Sequence, residues 1–309
     1  MDAVAACANL VTSPFDSPNK QSFGQTTTVG SSAQGGGGGS KLARMSPTKP
    51  PDRRREPAPE RVVDILERLR EEYPEAKIAL RFSNALECVV SVVLSAQSTD
   101  AKVNEVTATL FQKYRGPEDY LRVPEDELKA DLRPTGFFNQ KTKAVRGLSE
   151  RLLADFDGEV PQTIAELTTL PGVARKTANI VQGNCYPEAR KRDPDAGIAV
   201  DTHVGRVAVR LGLTGYGSKE AEKIERDLME LVAKKDWFEV PYLFIEHGRR
   251  TCDAKRPLCE DCPVESLCPS SQMAGLPDLY RLPPPAGKKT STTKKTPKKT
   301  TGRKPPTRR

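Results

Sequence analysis

Between Arg61 and Arg250 apolar residues return at intervals of three and four, and no alternating apolar–polar pattern persists. A helical face needs the first spacing and a half-buried strand the second, so the chain is confined to an all-α fold. Val62, Val63, Leu66 and Leu69 mark a first helix that ends by Pro74. Ser83 is placed to cap an apolar helix through Leu86, Val89, Val90, Val93 and Leu94. Val103, Val106, Leu110 and Tyr114 mark a third, stopping at Gly116-Pro117. Further helices are expected over 124–131, 140–156, 163–170, 174–183, 201–212, 218–235 and 240–250, about ten in all, with no repeat of 20–50 residues.

Both ends depart from this pattern. Residues 1–59 hold "QSFGQTTTVGSSAQGGGGGS" and "SPTKPPDRRREPAP", and residues 283–309 are Lys-, Thr- and Pro-rich. Such compositions cannot bury enough apolar surface to offset ordering entropy, so both are expected to be disordered extensions. Met45 is an alternative start, since the stretch before it carries no sign of structure. Charge divides the same way. The net +8 conceals a C-terminal tail with ten Lys/Arg and no acid, while residues 60–287 carry 32 basic and 37 acidic side chains. A cationic tail suits sequence-independent phosphate contact through counterion release or simple solubilisation. No apolar run approaches the roughly 18–20 residues of a membrane span. The N-terminus lacks the basic start of an export signal, so a cytoplasmic protein without membrane association is expected.

Cys252, Cys259, Cys262 and Cys268 fall within 17 residues in the spacing C-x6-C-x2-C-x5-C. In an intracellular chain that density points to metal rather than disulfides. Four thiolates suit an iron–sulfur cluster or tetrahedral zinc, and spacing alone leaves both open, along with a chance grouping. Cys88, on an apolar helix, reads as a small core residue. Arg249, Arg250, Lys255 and Arg256 surround the first cysteine. Each alone reads as solvated charge; together, beside a braced loop, they form a candidate phosphate grip.

In "LTTLPGVARKTANIV" two helical patterns meet at Pro171-Gly172-Val173. A hairpin there presents backbone N–H groups at a helix N-terminus, where the unpaired donors and the dipole favour a phosphate oxygen. An ordinary packing corner is the plainer reading. Lys176 follows in the first turn of the next helix, and Asp201 opens the helix after that. Taken singly they read as an exposed lysine and a favoured N-cap.

The motifs "LSAQSTD", "TGFFNQK", "LPGVARKTAN", "VDTH", "HGRRTC" and the cysteine cluster occur in an order that resembles bacterial endonuclease III, of the helix-hairpin-helix, glycine/proline-aspartate superfamily of DNA glycosylases. The likeness spans about residues 60–270. It implies an all-α, two-lobed fold: a six-helix barrel lobe over 78–190, and a lobe built from 60–77 and 195–270 that carries a [4Fe-4S] cluster on the four cysteines. It also implies a monomer acting on double-stranded DNA that holds damaged bases or abasic sites. The expected activity is removal of oxidised pyrimidines followed by β-elimination at the abasic site, with Lys176 as nucleophile and Asp201 as catalytic carboxylate. Gln97 would fill the space left by the extruded base, Phe137 would wedge beside its partner, and Gly172 and Ala174 would lie in the phosphate-binding hairpin. Phe138 reads as core. Asp100 would assist in the pocket or cap its helix, and His203 and His247 would serve as structural hydrogen-bonders. Two alternatives are a monofunctional adenine glycosylase, whose branch lacks a lysine at the position of Lys176, and a noncatalytic iron–sulfur DNA-binding protein.

Three departures from the family's pattern carry expectations. Ala174 stands where glycine is usual, and a positive φ there would cost alanine on the order of 1 kcal/mol. Phe137 is larger than the usual aliphatic residue. "PEARKRDPDAG" lengthens the link from Lys176 to Asp201 and is placed to line the DNA groove or reshape the damage pocket.

Overall fold

The computed structural model describes residues 58–274, which contain helices and no strand. In chain order the α-helices are α1 (Ala58–Glu72), α2 (Ala85–Leu94), α3 (Asp100–Lys113), α4 (Pro117–Arg122), α5 (Glu125–Leu132) and α6 (Phe138–Asp155). They continue with α7 (Ile164–Leu167), α8 (Arg175–Cys185), α9 (Pro187–Arg192), α10 (Thr202–Arg210), α11 (Ala221–Leu231) and α12 (Val240–Arg250). Helix α1 starts at Ala58, inside the stretch expected to be a tail; the rest of both tails lies outside the described residues.

Where the elements differ from expectation, capping chemistry explains it. Asn84, not Ser83, caps α2, its side chain accepting from the Glu87 amide at 2.9 Å. Ser83 instead donates its amide and hydroxyl to the Glu87 carboxylate, closing the turn from the other side. Helix α4 begins at Pro117, where the third helix was expected only to stop; proline suits a first helical turn because its missing N–H is not needed there. Helix α9 lies in the lengthened link and buries none of its residues, so it has no apolar period to read. It rests instead on Pro187 at its start and on Arg190, Lys191 and Arg192 at its C-terminal end, where cations complement the dipole.

The buried apolar side chains form two clusters. The first is centred on α2, whose residues Cys88–Leu94 are all buried, and draws on α3 to α8, from Leu80 to Val181. A helix apolar on every side belongs at the centre of such a layer. The second joins α1 to α10, α11 and α12 and runs on to Val264 and Leu267. Arg61 clasps this cluster: its buried guanidinium donates to the carbonyls of Leu211 at 2.9 Å and Leu267 at 2.6 Å, tying the first helix to the short turn Glu265–Leu267. A buried cation needs such partners, since an unpaired one costs several kcal/mol, on the order of 3–5.

Several polar links join the clusters among the described residues. Arg175 on α8 pairs with buried Glu225 on α11 at 2.8 Å. Asp100 on α3 pairs with Arg249 on α12 at 2.7 Å. Asn184 donates to the Tyr242 hydroxyl at 2.8 Å. The space bounded by these links holds the candidate site.

Candidate active site

The hairpin sets the N-terminus of α8. Gly172 has φ +81°, and a Cβ built there would lie 3.0 Å from the Ala144 Cβ, so glycine is required by conformation and by space. Ala174, the N-cap of α8, has φ −84° and ψ 169°, an extended conformation open to any residue. The strain anticipated at this position is therefore absent: the left-handed residue of the turn is two positions earlier. No side chain caps α8, so its first-turn N–H groups have no side-chain acceptor and lie beside exposed Gly172. That is the arrangement that receives an anion.

Two other non-glycine residues sit in the left-handed region near this turn, Gln97 at φ 52° and Phe137 at φ 49°. Left-handed backbone costs an L-residue roughly 1–2 kcal/mol, so both loops hold local backbone strain. Both residues line one open depression together with Gly172 and Lys141. Phe137 leaves 56% of its surface exposed, a large apolar ring held out into solvent. Its loop is pinned from behind by buried Lys141, whose ammonium donates to the Thr135 carbonyl at 2.8 Å. Burial lowers the Lys141 pKa from its ordinary value. Phe138, one residue on, packs against the first core cluster as expected.

Around the corner, between the two clusters, lies a cavity of about 110 Å³ lined by Lys176, Asp201, Asp100, Arg249, Asn179 and Arg190, among others. Lys176 is exposed in the first turn of α8. Asp201 is the N-cap of α10, and its Oδ1 accepts from the amides of His203 and Val204, both at 2.8 Å. The cap occupies one carboxylate oxygen and leaves Oδ2 outside it, so capping does not preclude a further role for Asp201. Asp100 does not cap α3; Thr99 does, at 3.3 Å from the Lys102 amide, and Asp100 faces the cavity paired to Arg249.

Arg190, on α9, donates to the Asn179 Oδ1 at 3.1 Å and to the Gly197 carbonyl. The lengthened link therefore reaches the cavity wall through this one side chain. Its route was hidden from the sequence, since spacing shows an insertion but not where it folds. Lys77, from the extended segment before α2, also lines the cavity and belongs to no motif that would have marked it.

The four expected phosphate-gripping cations separate. Arg249 is held in the cavity by Asp100, and Arg250 pairs with Glu246 at 2.8 Å. Lys255 and Arg256 are exposed on the loop after Cys252, with their amides turned to the Asp253 Oδ1 at 2.8 and 3.0 Å.

His203 and His247 take structural partners. His203 Nδ1 lies 3.1 Å from an Arg206 nitrogen, and burial, assisted by Arg206 and Arg249 and opposed by Asp201, lowers its pKa. His247 is buried against the Tyr73 hydroxyl at 3.2 Å, and burial, reinforced by Arg206, pushes it down to about 4.

Cys252, Cys259, Cys262 and Cys268 line a single second cavity of about 150 Å³. Among the described residues, no group of three or more His, Cys, Asp or Glu closes on one metal ion. Burial, with the neighbouring cysteines adding to it, pushes the Cys262 and Cys268 thiols up to about 12. Thiolates at these positions need a compensating cationic group. Arg210 supports the first cysteine, donating to Cys252 Sγ at 3.2 Å and to the Asp253 carbonyl at 2.7 Å. The donor set, four cysteines around one pocket with a second layer of hydrogen bonds, fits a thiolate-held group.

Residues 90–234 match the family described as HhH-GPD superfamily base excision DNA repair protein. Endonuclease III of Synechocystis sp. is 42% identical over 213 residues, covering 69% of this chain and 94% of the relative. Endonuclease III of Bacillus subtilis is 44% identical over 207 residues, 67% of this chain and 91% of the relative. Among solved structures, a trapped covalent intermediate of endonuclease III with DNA superposes with TM-score 0.65 at 37% identity, covering 70% of this chain and 98% of that one.

Proposed function

Because the chain belongs to the endonuclease III family of base excision DNA repair enzymes, we propose that the cavity between its two core clusters is the lesion site, with Lys176 as nucleophile and Asp201 as the carboxylate facing it. The enzyme is a DNA glycosylase and abasic-site lyase that removes oxidised pyrimidines from duplex DNA. We divide it into a barrel lobe, 78–190, and a cysteine-bearing lobe, 60–77 with 195–270. The observation that carries the assignment is that one amine from the first lobe and one carboxylate from the second line a common cavity.

The chemistry follows from that juxtaposition. As the bond between C1′ and the damaged base breaks, positive charge develops on the sugar, and a fixed carboxylate stabilises it. Two amide donors to Oδ1 orient Asp201 before substrate arrives. As the damaged base departs with the bonding electron pair, the Lys176 amine attacks C1′ and passes one proton to an acceptor in the cavity; the C1′–O4′ bond then breaks, O4′ takes up a proton, and the ring-opened protonated Schiff base remains. That iminium draws electrons from C2′, whose proton leaves, and the 3′ phosphate departs by β-elimination. The base must first leave the stack. Gln97, on left-handed backbone, fills the space it vacates, Phe137, also on left-handed backbone, wedges beside the partner base, and the α8 N-terminus holds a flanking phosphate.

Cys252, Cys259, Cys262 and Cys268 would hold a [4Fe-4S] cluster, which when bound supplies four thiolate attachments that brace the loop carrying Lys255 and Arg256. Purified protein should contain iron and acid-labile sulfide in equal amounts; bound zinc in their place would contradict this.

Incubation with duplex DNA bearing thymine glycol or an abasic site, followed by borohydride, should yield a covalent protein–DNA adduct that Lys176→Ala abolishes. Absence of an adduct from the wild type would reject the lyase. Asp201→Asn separates charge from capping. Asparagine caps a helix as well as aspartate, so stability should stay within about 0.5 kcal/mol, while base removal falls at least 100-fold, a loss of about 2.7 kcal/mol.

A further inference from the structure

Behind the lesion cavity lies a second and larger one, of about 600 Å³, between α9 and the segment that leads into α12. The two share Arg190, Trp237 and Phe238 as a common wall. Its lining carries four cations, Arg190, Lys191, Lys234 and Lys235, and no acid among the described residues; Lys191 pairs with Glu188 at 2.6 Å on the exposed face of α9, and Lys234 lies over the Trp237 ring at 5.8 Å. The nearest acid on that segment, Asp236, is engaged elsewhere with Arg70 at 2.7 Å. The aromatic walls are fixed. Trp237 Nε1 donates to the Val232 carbonyl at 2.9 Å, and the Phe238 ring meets Tyr242 edge-on at 5.3 Å. Phe238 lies so close over Gly183 that any Cβ there would overlap the ring, so glycine gives the wall its shape.

Volumes of about 300–1,000 Å³ are those of small-molecule sites. Flat aromatic faces accept a planar ring by stacking, and clustered Lys and Arg accept a phosphate. We propose that this cavity binds a single free nucleotide, its base against Trp237 and Phe238 and its phosphate among Lys191, Lys234 and Lys235. A nucleotide within the engaged duplex is poorly placed to be the occupant. The hairpin and Lys176 are at the start of α8, whereas Gly183 and Asn184 lie near its end, about 10 Å along the axis at 1.5 Å per residue. Arg190, with its bonds to Asn179 and the Gly197 carbonyl, stands in the wall between the two cavities.

The chain has one tryptophan, so intrinsic emission reports Trp237 alone. Titration of the full-length protein with deoxycytidine monophosphate should quench that emission to saturation, with matching heat in calorimetry. Deoxycytidine, which lacks the phosphate, should bind at least tenfold more weakly. Lys191→Glu and Lys235→Glu, exposed positions that line only this cavity, should each weaken nucleotide binding at least tenfold. Both should still form the borohydride adduct, so failure here would leave the repair assignment untouched. Three results would overturn the proposal: no saturable binding, equal binding by both variants, or binding of single-stranded oligonucleotide with none of the mononucleotide.

Discussion

Gly172 and Ala174 stand two residues apart on one turn and obey opposite constraints. At Gly172 the backbone is left-handed and the Ala144 methyl is already at the contact limit, so Gly172→Ala should lower unfolding stability by about 1–2 kcal/mol and weaken binding to abasic duplex. At Ala174 the backbone is extended and the residue is an N-cap, a position glycine fills better than alanine. Ala174→Gly should therefore be neutral or slightly stabilising, within about 1 kcal/mol, with incision retained. Urea denaturation of the two variants checks both expectations, and a large loss from Ala174→Gly would contradict the second. This difference was closed to the sequence, because a glycine-to-alanine departure says nothing of φ. The chemical identities of Lys176 and Asp201 were open to it, yet only the order of surrounding motifs separated them from an ordinary surface lysine and an ordinary cap.

Among elements, the two loops proposed to wedge the duplex both hold a residue on left-handed backbone. Phe137 is 56% exposed on left-handed backbone, and the Lys141 ammonium fastens the loop from behind. Phe137→Gly removes the conformational penalty, so stability should rise by about 1 kcal/mol. The same change removes the ring, and single-turnover base removal should slow about tenfold or more, a loss of roughly 1.4 kcal/mol. Both parts are read on one protein, by denaturation and by quenched-flow kinetics. A rise in stability with unchanged kinetics would leave Phe137 without a role in extrusion. Apolar period foretold the helices that bury a face. It missed α9, which buries nothing, and α4, whose proline looked like a stop. Helix α9 matters because Arg190 turns an insertion into part of the cavity wall.

For the whole molecule, the two clusters are held together by several polar links, and one of them faces a titratable neighbour. Arg249, paired to Asp100 across the cavity mouth, lies near His203, whose imidazole is held below the ordinary value of 6.5 mainly by burial. In the unfolded chain His203 takes a proton below about pH 6.5, while in the folded protein it resists until lower pH. The unfolded state therefore binds more protons in that window, and stability falls as pH drops. The stability lost between about pH 7.5 and pH 5.5 should be smaller in His203→Gln than in the wild type, as read from urea midpoints. An equal loss in both would place the pH dependence elsewhere. A two-lobed division was expected only from the family resemblance, because helical periodicity by itself does not say which helices share a core. The Asp100–Arg249 and Arg175–Glu225 pairs that bridge the clusters were not legible, because nothing in spacing brings residues 149 or 50 positions apart to one contact.

Lys77 and Lys176 both line the proposed lesion cavity, so the central claim reduces to which amine bonds to the sugar. The borohydride-reduced adduct formed on an abasic duplex can be digested and its modified peptide sequenced by mass spectrometry. The deoxyribose remnant should sit on Nζ of Lys176. Its recovery on Lys77, or on any other amine of the wild-type chain, would contradict the account.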